Sequence, residues 1–166
     1  TPDGLAADST SSAPELFTGL GPVAPHPGQS FRAAEGWHKD AVVYHIWIAA
    51  FRDSDGDGIG DLRGVIQGLD ILRDLGVNAL WLSPFFENAS SPRNLHGYDV
   101  LDHRRVDPRF GTNEAADELI REAHARGLRL IFDFVPNHLS SRHPWFIESR
   151  DPSSPKRDWF LWRDEP

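Results

Sequence analysis

Three apolar runs separated by two amphipathic segments organise residues 41 to 135. "AVVYHIWIAAF" (41–51) is nearly continuous and β-rich, which predicts a strand buried on both faces of a parallel sheet. Val65, Ile66, Leu69, Leu72 and Leu75 then recur at helical spacing, and Gly76 stands where a helix-ending glycine belongs. "VNALWLSPF" (77–85) reads as a second buried strand, stopped by Pro84. A long polar stretch follows from Glu87 to Gly111. Thr112 is a suitable N-cap for a helix carrying Ala116, Leu119, Ile120 and Ala123, closed by Gly127. "LRLIFDFV" (128–135) is the third strand, followed by "PNH".

Strand, helix, strand, helix, strand with right-handed crossovers makes a parallel α/β sheet, open or closed into a barrel. The polar residues gather after the strand ends, where α/β folds build their sites. No Gly-x-Gly-x-x-Gly turn follows the first strand, which counts against a dinucleotide fold. Beyond residue 138, "LSSRHPWFIESRDPSSPKRDWFLWRDEP" has aromatics, prolines and charges without a clear period. It reads as an excursion after the third strand. Closing a barrel takes eight strands and about 250 residues, so three strands are an incomplete one. Residues 1–36 are rich in Pro, Gly, Ser and Ala and read as a surface tail or linker. Because the chain opens at Thr1, a linker after a cleaved export signal is the expectation, secreted or periplasmic, with a cytoplasmic origin left open.

Composition narrows the chemistry. With 166 residues, 39% hydrophobic and 25% charged, the chain has an ordinary globular make-up. A net charge of −8 argues against nucleic acid or an anionic membrane as a partner. Cysteine is absent, which removes disulfides, thiol catalysis and cysteine-ligated zinc. His96, His103, His138 and His143 lack the tight spacing of a zinc site.

The densest chemistry lies in "RDSDGDGIGDLRG" (52–64). Asp53, Asp55 and Asp57 match the first three ligand positions of an EF-hand and Gly58 its glycine, but Gly64 stands where a bidentate glutamate is needed. A strand, not a helix, precedes the loop, so it is not an EF-hand. Calcium chemistry survives, since alternating aspartates let a tight loop turn several carboxylates inward and a divalent cation relieves their repulsion. Asp53, Asp55, Asp57 and Asp61 are the side-chain candidates, with a carbonyl such as that of Ile59. The alternative is a solvated acidic turn in which Asp61 caps the next helix.

Four stretches together carry a resemblance: "DAVVYHIWIAAFRDSDGDGIGDLRGVIQGLDILRDLGVNALWLSP", "HGYDVLDHRRVDPRFGT", "EAHARGLRLIFDFVPNHLS" and "HPWFIESR…KRDWFLWRD". They resemble the α-amylase family, glycoside hydrolase family thirteen, in its oligo-1,6-glucosidase, α-glucosidase and trehalose synthase branch. The resemblance implies the N-terminal part of a (β/α)8 TIM barrel: a tail at 1–36, three βα units at 37–138, and the start of an inserted B domain at 139–166. It implies a structural Ca2+ held by Asp53, Asp55, Asp57, Ile59 and Asp61. Tyr98 would stack on the sugar at the cleavage site, Asp99 bond the terminal glucose, and His138 bind that sugar as charge develops, with Asp133 and Asn137 bracing the site. The implied activity is retaining hydrolysis or transglycosylation of α-glucans and α-linked oligosaccharides. The catalytic carboxylates of that family follow later strands, so none is expected here and a second polypeptide carrying the rest of the barrel is the expected partner. "WIAAF" (47–51) departs from the "YPRSF"-like stretch common in that branch. The competing reading is a secreted, calcium-stabilised carbohydrate-binding module without catalysis.

Overall fold

The computed structural model describes residues 36–89 and 95–163. The tail expected at 1–36 lies, apart from Gly36, outside them. Among the described residues, five strands and four helices follow in the order β1 (Val43–Ile46), α1 (Ile48–Phe51), α2 (Leu62–Asp74), β2 (Ala79–Leu82), β3 (Phe86–Asn88), β4 (Val100–Val106), α3 (Asn113–Ala125), β5 (Arg129–Phe132) and α4 (Pro144–Ser149). Short 3-10 turns stand at Trp37–Asp40 and Arg157–Trp159. No helix among the described residues is long and apolar enough to cross a membrane.

β2 lies between β1 and β5 and runs parallel to both. Leu80 stands opposite Tyr44 and Leu130, and Trp81 opposite His45 and Ile131. Because successive side chains alternate between faces, this register sorts the sheet in two. Ile46, Leu80 and Leu82 share one core with Val65, Leu69 and Leu72 of α2 and Leu119 and Ala123 of α3. Each fully buried leucine or valine there contributes about 1.5–3 kcal/mol. The opposite face presents His45, Trp81 and Ile131 to solvent, the last two 40% and 37% exposed.

The helices start and stop where side chains satisfy their free backbone groups. Asp61 caps α2, its Oδ1 accepting the Gly64 N–H at 2.7 Å. Thr112 caps α3 by accepting the Ala115 N–H at 3.3 Å. Gly76 and Gly127 follow them in the left-handed region, at φ 85° and 74°. Leu75 completes the apolar spacing of α2 in sequence yet is 68% exposed, because the chain has already turned away from the core.

Two expectations are corrected. The run 41–51 is not one strand buried on both faces. Val43 and Tyr44 are 45% and 40% exposed, since β1 is an edge of its sheet. The strand ends at Ile46 because the Trp47 carbonyl accepts the Ala50 N–H at 3.0 Å and opens α1, whose alanines favour helix. The polar stretch 87–111 also holds structure. β4 pairs antiparallel with β3, Val100 opposite Asn88 and Val106 opposite Phe86. "VLDHRRV" is apolar only at its ends, so it lacks the alternation that marks a strand.

The segment after residue 138 is likewise ordered in part. His143 caps α4 through Nδ1, which accepts the Trp145 N–H at 3.0 Å. Trp145 meets Trp159 edge-on at 5.4 Å, Phe146 stacks on Trp162 at 5.6 Å, and the Arg157 guanidinium lies 3.8 Å above Trp162.

Candidate active-site loops

The acidic loop is built from its own backbone. Asp53 Oδ1 accepts the N–H groups of Asp55 (3.1 Å) and Gly56 (2.7 Å), and its Oδ2 accepts that of Gly58 at 2.8 Å. These bonds, Gly58 first and then Gly56, hold the Asp53 carboxyl below the usual carboxylate range. Asp55 Oδ1 accepts the Asp57 N–H at 3.2 Å and Asp57 Oδ1 that of Ile59 at 2.7 Å. Asp61 works in two directions: while Oδ1 caps α2, Oδ2 accepts the Ser54 N–H at 2.8 Å.

This winding brings carboxylate oxygens of Asp53, Asp55 and Asp61 within 4.8 Å of one another. Three convergent hard oxygens are a donor set suited to a cation of the calcium class. Asp57 does not join the trio; its carboxylate is turned to the Ile59 N–H. Of Ile59 the structure shows this N–H bond and a side chain packed against the core.

The second cluster assembles across long sequence distances. Tyr98 donates its hydroxyl to Asp133 Oδ2 at 2.8 Å. That bond, with a smaller contribution from burial, raises the Tyr98 pKa above its ordinary value. The phenol therefore stays protonated through the neutral range, and Asp133 accepts. His138 Nε2 lies 2.9 Å from the Tyr98 carbonyl oxygen. A carbonyl only accepts, so Nε2 carries the proton. His138 Nδ1 is then free to accept from the Asn137 side-chain amide at 2.9 Å. Asp99 uses its backbone carbonyl on the Ala89 N–H at 2.8 Å, and its carboxylate makes no hydrogen bond among the described residues.

Three further contacts shape this cluster without having been marked in the sequence. Gly97 has φ 80°, and a Cβ there would collide with the Pro84 carbonyl, so only glycine lets this loop lie against the end of β2. Trp47 donates its indole N–H to the Leu95 carbonyl at 3.2 Å, 48 residues away. Ser83 Oγ donates to the Ile46 carbonyl at 3.1 Å and accepts from His45 Nε2 at 3.2 Å, bracing β1 against β2.

After β4, buried Asp107 takes two side-chain bonds from Arg109, at 2.8 Å from Nε and 2.7 Å from the terminal nitrogen. It takes a third from the Asn88 amide at 2.9 Å. Burial pushes the Asp107 carboxyl up, but the Arg109 bonds outweigh it and leave it below the ordinary range.

Trp47, Ser83 and Asp133 each follow a parallel strand by one residue, so the polar loops share the carboxyl end of the sheet. Parallel βαβ units with their polar loops at that end define a segment of a barrel-type α/β catalytic domain. The chain belongs to the alpha-amylase family, its residues 45–166 matching the alpha amylase catalytic domain.

An oligo-1,6-glucosidase of Heyndrickxia coagulans is 49% identical over 129 residues, covering 77% of this chain and 23% of that protein. An alpha-glucosidase of Candida albicans is 49% identical over 128 residues, covering 76% and 22%. The crystal structure of isomaltulose synthase from Klebsiella sp. LX3 superposes with a TM-score of 0.72 at 44% identity, covering 77% of this chain and 23% of that one. The three parallel strands and their helices are thus the N-terminal part of a (β/α)8 TIM barrel. The chain spans about a quarter of the length of the relatives it matches.

Proposed function

We propose that this chain is the N-terminal portion of a retaining α-glucoside hydrolase or transglycosylase acting on α-glucans or α-linked gluco-oligosaccharides. The observation that carries the reading is the bonding of Tyr98 to Asp133 and of His138 to the Tyr98 backbone. An aromatic face, an imidazole and a carboxylate with free oxygens are what a glucose ring needs: the ring C–H patch covers the phenol, and the polar groups bind hydroxyls. Asp133 and Asn137 orient Tyr98 and His138. His138, held with its proton on Nε2, contributes a polarisable dipole near the carbon where oxocarbenium-like charge develops. Retention needs two further carboxylates about 5–5.5 Å apart, which in this reading belong to the part of the barrel beyond these three strands. The stretch 139–166 is then the start of the inserted B domain.

Support comes from the relatives, whose names are oligo-1,6-glucosidase, alpha-glucosidase and isomaltulose synthase. Mixing the chain with a polypeptide carrying the remaining strands should produce hydrolysis of an aryl α-glucoside. A folded complex with no turnover on any α-glucoside would sink the reading.

Ca2+ is the proposed structural cofactor, bound by Asp53, Asp55 and Asp61, with Asp57 and the Ile59 carbonyl recruited to the shell. Bound there, the ion offsets the crowding of three carboxylates and ties residue 53 to the first turn of α2. Calcium titration should raise the melting temperature and a chelator reverse it. An unchanged melt would leave the loop as a self-bonded acidic turn.

A further inference from the structure

We propose that Trp47 is a sugar-positioning residue, which holds the loop presenting Tyr98 and Asp99 and lends its ring as a second aromatic surface for the sugar. This rests on the sugar-site reading above and extends it to a residue outside that constellation.

Three observations carry it. Trp47 follows β1 directly, at the same end of the sheet as Asp133, and its backbone is fixed by the Ala50 N–H bond that opens α1. Its indole N–H donates to the Leu95 carbonyl. Leu95 lies three residues before Tyr98, at most about 11 Å of backbone. Finally, the ring is half exposed and makes no ring contact among the described residues. A ring anchored at its polar edge and open on its face can stack on a ligand. With its indole partner three residues before Tyr98, the stacking partner this proposal assigns is the C–H face of a glucosyl ring.

The loop is held from two sides. Gly97 rests against the Pro84 carbonyl, and the indole bond fixes Leu95. Losing that bond removes one tie on this loop, beside the Gly97 contact, the Tyr98–Asp133 bond and the His138 bond to the Tyr98 carbonyl.

Steady-state kinetics of the completed enzyme on an α-gluco-oligosaccharide test this, using Trp47→Phe and Trp47→Ala with melting curves for each. Trp47→Phe keeps an aromatic face and loses the donor. It should raise KM about 3- to 10-fold, the range set by one hydrogen bond, with kcat within about twofold. Trp47→Ala also loses the aromatic surface and should raise KM by about a further 3-fold or more, as for one lost aromatic contact. Unchanged KM in both variants overturns the proposal, as does a fall in kcat and melting temperature together without a change in KM. A wild-type enzyme inactive on every α-glucoside would instead overturn the sugar-site reading itself.

Discussion

The acidic loop and the Tyr98 cluster are both small polar constellations after barrel strands, but they are tied together in opposite ways. Among the described residues, every hydrogen bond accepted by the Asp53, Asp55, Asp57 and Asp61 side chains joins groups no more than seven residues apart. The bonds from Tyr98 to Asp133 and from His138 to Tyr98 span 35 and 40 residues. A locally closed loop needs little from the rest of the molecule. A long-range cluster exists only when three elements are already docked, so it inherits every error in their packing.

Glycine substitutions break this comparison most sharply. Gly97 and Gly56 have nearly the same backbone, φ 80° and 88°. Around Gly56 a Cβ meets nothing within 4 Å, whereas at Gly97 it would overlap the Pro84 carbonyl. Gly56→Ala should cost only the left-handed backbone term, about 1–2 kcal/mol. Gly97→Ala should add about 1–3 kcal/mol of overpacking and abolish sugar binding, because Tyr98 is the next residue. Melting curves and a sugar titration decide it; equal effects of the two variants would refute the distinction.

Asp61 gives the next largest effect. Its side chain serves both the loop and the N-terminus of α2. Asp61→Ala should cost about 1 kcal/mol in a chelator through the lost cap, and should also remove any stabilisation by added calcium. Asp57→Ala, outside the converging trio, should keep most of the calcium response. If Asp57→Ala abolishes it and Asp61→Ala does not, the trio is not the ion's first set of ligands.

The same contrast explains what was legible in the sequence. The acidic loop could be read from spacing alone because its geometry is local, and the helix caps Asp61, Thr112, Gly76 and Gly127 were readable for that reason. The parallel α/β arrangement followed from three apolar runs separated by two helical patterns. Sequence periodicity did not mark β4, because Asp102, His103, Arg104 and Arg105 break the alternation while its pairing with β3 is set by tertiary contact. Nor did it separate β1 from α1, since "IWIAAF" suits either state until the Trp47 carbonyl commits to Ala50. Tyr98, Asp99, Asp133, Asn137 and His138 were named through resemblance rather than pattern, as residues so far apart share no period. Trp47 and Leu95 carried no signal at all, because the carbonyl that pairs them belongs to the backbone.

The smallest effect is a titration that tests the long-range cluster directly. Asp133 accepts the Tyr98 hydroxyl, and this bond raises the phenol pKa above its usual value of 10.0. The neutral phenol is the form the fold favours, so the bond's contribution is fully present below the unfolded pKa and is lost as pH rises through the folded one. The two tyrosines of the chain are Tyr44 and Tyr98. In a Tyr44→Phe background, ultraviolet absorbance should therefore report Tyr98 alone, ionising above pH 10. Asp133→Asn should bring that midpoint down, because the amide oxygen is a weaker acceptor for the phenol than a carboxylate and carries no charge to oppose the phenolate. A midpoint that ignores Asp133→Asn would mean the two side chains are not bonded in solution. The acidic loop offers no such long-range coupling, and calcium should leave the Tyr98 titration where it was.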